Sequence, residues 1–260
     1  MDDVEGTDVY GEYSEFYDVY VGDFLDDLPF YMEFASSVRT PVLEIGAGSG
    51  RLTLPMARSG VRVVAVDISP SMLSLLNARL KDEPPEVRDR VSVVEADACE
   101  LDLGEEFDLV IVPYYTFNYF LTELDQRRAL ERIRTHMSDS ACALLDVFIP
   151  WGRLEYCPPE PILRNDAVDP RNGNRIRSWN SFILDKEKQQ DYQKKRFKIT
   201  APSGSVTNKE FTIQRHYTLP DQLERLFADN GFAIEGVYGG YRREAPKVDC
   251  EQMMYVLQKL

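Results

Sequence analysis

The chain is poor in the residues that build metal centres and disulfide frameworks: four cysteines and two histidines in 260 residues. Cys99, Cys142, Cys157 and Cys250 lie far apart with no C-x-x-C pair, so neither a zinc site nor a disulfide framework is expected, and the setting reads as reduced and cytoplasmic. No cluster of His, Cys and carboxylates stands at ligand spacing, so no metal is expected. No apolar run approaches the ~20 residues of a membrane span. The acidic start Met1-Asp2-Asp3-Val4-Glu5 argues against a signal or transit peptide. Positive charge is also short: 30 Lys and Arg against 44 Asp and Glu leave a formal charge of −14, which disfavours nucleic acid and anionic membranes as partners. A small-molecule substrate fits this balance, and a homodimer stays open.

The chain does hold a strand running into spaced glycines, Val42-Leu43-Glu44-Ile45-Gly46-Ala47-Gly48-Ser49-Gly50. Glycine in such a turn reaches backbone angles closed to other residues and lets a ligand approach the main chain. The following helix would aim free N–H groups and its positive dipole end at that ligand. A dinucleotide fingerprint is G-x-G-x-x-G, and its third glycine is replaced here by Arg51. Glu44, a carboxylate at the mouth of a buried strand, suits an amine or a cationic ligand better than a pyrophosphate.

This E-x-G-x-G-x-G pattern resembles motif I of the class I S-adenosylmethionine-dependent methyltransferases. Tyr13-Ser14-Glu15-Phe16-Tyr17-Asp18-Val19-Tyr20 resembles the N-terminal Y-D-x-x-Y region of small-molecule members, notably those that methylate amino sugars and glycine. The resemblance covers about residues 10 to 150 and 217 to 260. It implies a seven-stranded Rossmann-like α/β sheet with helices on both faces and the last strand antiparallel.

A second strand over 61–66 ends at Asp67, placed to accept hydrogen bonds from both ribose hydroxyls. Ser69 and Pro70 read as the cap and first turn of the next helix, whose stripe is Met72, Leu73, Leu76 and Leu80. A third strand over 91–95 leads to Asp97, the position at which the resemblance implies recognition of the adenine amine. The fourth, 107–112, opens into Pro113-Tyr114-Tyr115-Thr116-Phe117-Asn118, an aromatic loop expected to border the reacting methyl. It is not the N-P-P-Y motif of amide-modifying methyltransferases, because Val112 stands where that motif has Asn or Asp. Thr122 with Asp125, and Thr218 with Asp221, read as capping boxes.

A strand over 141–148 closes the first half. Beyond Pro150, runs at 175–184, 192–200 and 206–217 read as an inserted antiparallel meander, with a turn at Ala201-Pro202-Ser203-Gly204. Its basic run, Lys194, Lys195, Arg196 and Lys198, reads as a solvated face, with a hold for an anionic substrate group as the alternative. Tyr10, Tyr13, Tyr17 and Tyr20 share one helical face, either docked on the core or lying as a flap over cofactor and substrate.

The expected organisation is an aromatic helical flap at 1–41, a cofactor-binding core at 42–150 and 218–260, and a β lid at 151–217. The resemblance implies contacts to S-adenosyl-L-methionine from Tyr17, Glu44, Gly46, Ala47, Gly48, Gly50, Asp67, Ile68, Met72, Asp97, Ala98 and Pro113. Tyr13, Tyr114, Tyr115 and Asn118 are expected at the substrate. Tyr17 and His216 are the catalytic candidates, His216 as a base where the insert rejoins the core, whereas His136 is expected to face away from the ligand. The implied activity is methyl transfer to a nitrogen or oxygen, or else a carbon, of a small metabolite. A nicotinamide-dependent oxidoreductase and a non-catalytic binding module are the alternatives.

Overall fold

The structure is a computed structural model that describes residues 10–21 and 24–260. The acidic start at 1–5 and the rest of 1–9 lie outside the described residues. In chain order the helices are α1 (Ser14–Val21), α2 (Leu28–Ala35), α3 (Thr53–Arg58), α4 (Pro70–Lys81), α5 (Pro85–Arg88), α6 (Glu123–Thr135), α7 (Trp151–Glu155) and α8 (Pro220–Asp229). The strands are β1 (Val42–Ile45), β2 (Val63–Asp67), β3 (Val91–Glu95), β4 (Phe107–Val112), β5 (Met137–Phe148), β6 (Ile162–Val168), β7 (Arg175–Asp185), β8 (Gln190–Thr200), β9 (Val206–His216), β10 (Phe232–Tyr238) and β11 (Gln252–Lys259).

Seven strands form one sheet in the order β10-β11-β5-β4-β1-β2-β3. β11 runs antiparallel between β10 and β5, and the other pairings are parallel. The central strands are predominantly apolar because both faces are covered by helices. Alternation divides them: Leu43, Ile45, Val110 and Val112 face α6 and α8 through Leu130, Ile133, Leu223 and Phe227. Val42, Leu109 and Ile111 face the layer of α2, α3 and α4 through Tyr31, Leu54, Leu73 and Leu76.

The caps form largely as the sequence predicts. Ser69 accepts the Met72 N–H at 3.2 Å, and Thr122 accepts the Asp125 N–H at 3.1 Å. At α8 the structure differs. Leu219 holds the N-cap position, and its N–H donates to Gln222 Oε1 at 2.9 Å, while the Thr218 hydroxyl exchanges hydrogen bonds with the Gln126 amide.

The inserted segment forms its own antiparallel sheet in the order β6-β7-β8-β9. It has one strand more than the sequence reading gives. β6 is an edge strand whose side chains are mostly exposed, so its sequence carries no apolar alternation to mark it. The rings of Tyr13, just before α1, and of Phe16 and Tyr20 on α1 pack on this sheet, meeting Phe197 with ring centroids 5.2 to 6.2 Å apart. The basic run does not behave as a uniform solvated face. Lys194 and Arg196 pair with Glu210 on the exposed side, but alternation along β8 turns Lys195 inward, where it is 6% exposed.

Candidate active site

β1 ends in the glycine turn, and all three glycines take positive φ: 81° at Gly46, 57° at Gly48 and 84° at Gly50. Gly46 is required on two grounds, since an added Cβ would also lie 2.3 Å from Thr116 Oγ1 in the loop after β4. The turn is tied to β2: the Gly46 and Ala47 N–H groups donate to the Val66 carbonyl at 2.8 and 3.0 Å. Gly48 N–H donates to Asp67 Oδ2 at 2.7 Å, and Ser69 N–H to Asp67 Oδ1 at 2.9 Å. Asp67 is thereby fixed at the carboxyl end of β2, facing the turn. Beside it Ile68 is 59% exposed, an apolar side chain without protein cover, and Met72 reaches under Gly48.

One layer further, Ala96 N–H donates to the Asp67 carbonyl at 3.1 Å, which sets Asp97 next to that edge. Asp97 Oδ1 accepts the Cys99 N–H at 2.8 Å, and Ala98 is buried beneath. The structure therefore brings the ends of β1, β2 and β3 together as one crevice.

A narrow cleft opens over the turn, lined by Tyr17, Glu44, Gly46, Ala47, Arg51 and Tyr114 among others, with Pro113 at its edge. Glu44 is 1% exposed and accepts the Thr53 hydroxyl at 2.6 Å. Burial pushes its carboxyl up to about 8, although the Thr53 bond and the nearby Arg51 charge oppose the shift. Burial likewise holds the Tyr17 phenol well above its ordinary range, so Tyr17 is a neutral hydroxyl at physiological pH.

Arg51, which replaces the third fingerprint glycine, has a role the sequence did not disclose. Its guanidinium makes paired 2.7 Å bonds to the fully buried Asp27 and lies 4.7 Å from the Tyr114 ring centroid. A bidentate carboxylate and an aromatic face fix this cation as a wall of the cleft. No sequence signal couples residue 27 to residue 51.

Tyr114 and Tyr115 adopt positive φ of 49° and 64°, a conformation that costs bulky side chains about 1–3 kcal/mol each. Buried Asp146 on β5 lies close enough to this loop for its charge to act on Tyr115. Its carboxylate accepts from the Tyr241 hydroxyl at 2.7 Å and from Gln252 Nε2 at 3.3 Å, and burial raises it to about 7. The left-handed backbone turns Tyr114 into the cleft and stacks Tyr115 on it at 5.4 Å, with Phe148 beyond at 5.3 Å.

α1 closes over the turn from the other side. Asp18 accepts the Ser49 hydroxyl at 2.9 Å and pairs with Arg79, whose guanidinium also donates to the Ser49 carbonyl. Tyr17 on the same helix reaches the cleft, while Tyr13, 6.1 Å away between centroids, faces the second sheet.

Two expected site residues are placed elsewhere. Asn118 is a clasp: its Nδ2 donates to the Phe148 and His216 carbonyls at 2.9 and 2.8 Å, and its Oδ1 accepts the Phe148 N–H. His216 ends β9 on the face opposite Arg215, beside Gln190, so its ring points away from the space under the second sheet. Burial lowers its pKa, leaving it neutral. His136, as expected, is structural, accepting the Leu103 N–H at 2.9 Å.

A seven-stranded sheet with β11 antiparallel, a glycine turn after the first strand and an acidic residue after the second define the class I methyltransferase fold. Residues 42–140 match the model of the methyltransferase domain family. The chain is 25% identical over 219 residues to the cypemycin N-terminal methyltransferase of a Streptomyces species, covering 84% of this chain and 82% of that one. Among solved structures it is similar to the CcbJ methyltransferase of Streptomyces caelestis, with a TM-score of 0.77, 19% identity and coverage of 96% and 98%. It is also similar to the glycopeptide N-methyltransferase MtfA complexed with S-adenosyl-L-methionine, with a TM-score of 0.60, 24% identity and coverage of 91% and 96%. Residues 42–140 are thus a methyltransferase domain, and over nearly its whole length the chain is similar in fold to S-adenosylmethionine-dependent methyltransferases.

The residues present fit that cofactor. A glycine turn with a buried carboxylate beneath it suits a cationic amino acid moiety, and Asp67 beside the uncovered Ile68 suits a ribose and an apolar ring.

Proposed function

We propose that the protein methylates a nitrogen or oxygen of a small-molecule metabolite held between the glycine turn and a lid made of α1 and the four-stranded sheet. Residues 1–41 act as the flap and 151–217 as the acceptor-binding lid, with 42–150 and 218–260 as the cofactor-binding core. The observation that carries this reading is the phenol-lined space beneath the lid, walled by Tyr17 and Tyr114 and sealed by the Asp18–Ser49–Arg79 clasp.

When bound, S-adenosylmethionine supplies a methyl group that is electrophilic without further activation. What the chain's own residues contribute is position and dryness. Tyr114, in its left-handed conformation, and Tyr17 on α1 bound the space in which a nucleophile is aligned. Excluding water strengthens the interactions that orient it. Glu44, raised to about 8, can ionise against the cofactor's ammonium group.

Nitrogen is the favoured nucleophile. An amine needs only to arrive deprotonated, whereas a hydroxyl needs a base, and His216 faces away from this space. The cypemycin N-terminal and glycopeptide N-methyltransferases are named for nitrogen acceptors. The net charge of −14 supports a small acceptor over a nucleic acid, and we place the reaction in the cytoplasm. Incubation of the protein with methyl-labelled S-adenosylmethionine and a metabolite extract is expected to label a low-mass amine, read by mass spectrometry. Label found only in protein or nucleic acid would overturn the reading.

A further inference from the structure

The lid sheet turns a polar face toward the core. Ser178 and Asn180 of β7 and Asp191, Gln193 and Lys195 of β8 are all buried, and Arg215 of β9 has a side chain only 11% exposed. A sheet packed there for stability alone would present apolar residues. Several of these groups also lack partners: Asp191 Oδ1, Asn180 Oδ1, Ser178 Oγ and the Nε groups of Arg153 and Arg215 are buried without a hydrogen bond. Buried polar atoms are normally paired, so a face with this many open ones is built around something polar.

The charges there do not balance. Arg153 and Arg215 share a single carboxylate oxygen, Asp191 Oδ2, and both lie over the Phe148 ring, 4.9 and 4.8 Å from its centroid. Lys195 Nζ donates to the Tyr13 hydroxyl at 2.9 Å and sits 3.5 Å from the Tyr20 centroid. No carboxylate among the described residues forms an ion pair with it, and the charges that reach it are those of Arg215 and Arg164. An uncompensated buried cation is costly, and a chain with 44 acidic residues had ample means to neutralise it.

The cluster adjoins the reaction space at two points: Phe148 touches Tyr115 behind Tyr114, and Tyr13 neighbours Tyr17. We propose that the cationic cluster on the inner face of the lid, centred on Lys195 and Arg215, is the subsite for a carboxylate group of the methyl acceptor. This rests on the small-molecule reading above. Burial and the neighbouring Arg215 and Arg164 guanidiniums lower the Lys195 pKa, a cost that a bound anion would offset. Because Arg153 and Arg215 share one oxygen of Asp191 and both keep an open Nε–H, a second carboxylate in this place would give each guanidinium an acceptor of its own. Tyr13, Tyr20 and Phe148, whose rings lie against these cations, give such a ligand aromatic walls.

The test measures binding, not turnover, so its failure is separable from failure of the methylation experiment. Protein saturated with S-adenosylhomocysteine is titrated calorimetrically with 3-phenylpropionate and with 3-phenylpropionamide, which differ in charge at the same size. The carboxylate is expected to bind at least tenfold more tightly than the amide. Lys195→Met is expected to melt no lower than the wild type, since it removes a buried ionisable amine, and to cut the preference below threefold. Lys195→Gln, which keeps a polar contact to Tyr13, is expected to do the same, and S-adenosylhomocysteine binding should stay within twofold in both. Equal affinity for acid and amide, binding of neither, or a preference that survives both variants would overturn the assignment.

Discussion

Glu44 and Asp146 carry the clearest consequences of single side chains. Burial raises them from ordinary carboxylate values to about 8 and about 7 respectively. Both are higher in the folded chain than in the unfolded one. Their contribution to stability is therefore complete below about pH 4 and is lost as the pH rises through 7 to 8. The unliganded protein is expected to melt at progressively lower temperature between pH 5 and pH 8.5, and Glu44→Gln to flatten that slope in scanning calorimetry. A melting temperature that rises over this interval would contradict the burial account.

Asp67 gives a second test at this scale. Asp67→Ala leaves the Gly48 and Ser69 N–H groups without their acceptor and removes the proposed ribose contact. Its affinity for S-adenosylhomocysteine should fall by about 1–3 kcal/mol; unchanged affinity by calorimetry in a folded variant would refute the contact. Asp67 and Glu44 were legible because they flank a glycine turn of recognisable spacing. Arg51, Asp27 and Lys195 were not, because their meaning depends on partners 24 and 182 residues distant. The orientations of His216 and Lys195 show the same limit. A one-residue step along a strand reverses the face, and sequence alone does not state which face meets the core.

Among elements, the loop between β4 and α6 concentrates the strain. Two successive tyrosines in the left-handed region need an outside hold, and we expect Asp146, fixed close by through Tyr241 and Gln252, to contribute to it. Asp146→Ala leaves those donors unsatisfied. It is expected to destabilise the fold by about 1–3 kcal/mol in denaturant titration and to lower turnover more than cofactor affinity. A variant with native turnover would show that the loop needs no such hold. The core strands were legible because strands covered on both sides are continuous apolar runs bounded by turn residues. β6 escaped notice because an exposed edge strand has no such run, and the polar start of β5 at Met137–Ser140 for the same reason.

On the scale of the whole molecule, the two segments outside the Rossmann-like layers are joined to each other. The Tyr13, Phe16 and Tyr20 rings pack on the lid sheet, Asn180 Nδ2 donates to the Tyr20 hydroxyl at 2.9 Å, and Arg171 donates to the Glu15 carbonyl. The same helix is clasped to the glycine turn through Asp18. Flap and lid thus behave as one cover anchored beside the cofactor crevice, and Tyr17 is its residue nearest the crevice. Tyr17→Phe, which removes a hydroxyl and little volume, is expected to lower turnover without lowering the melting temperature.

The central claim is a division of labour, cofactor on the core and acceptor under the lid. Its most direct test replaces residues 151–217 with a short linker and measures both S-adenosylhomocysteine affinity and transfer of labelled methyl to the metabolite extract. The account predicts that affinity stays within about tenfold, or ~1.4 kcal/mol, while transfer is lost. Transfer at the native rate by the lidless protein would contradict it.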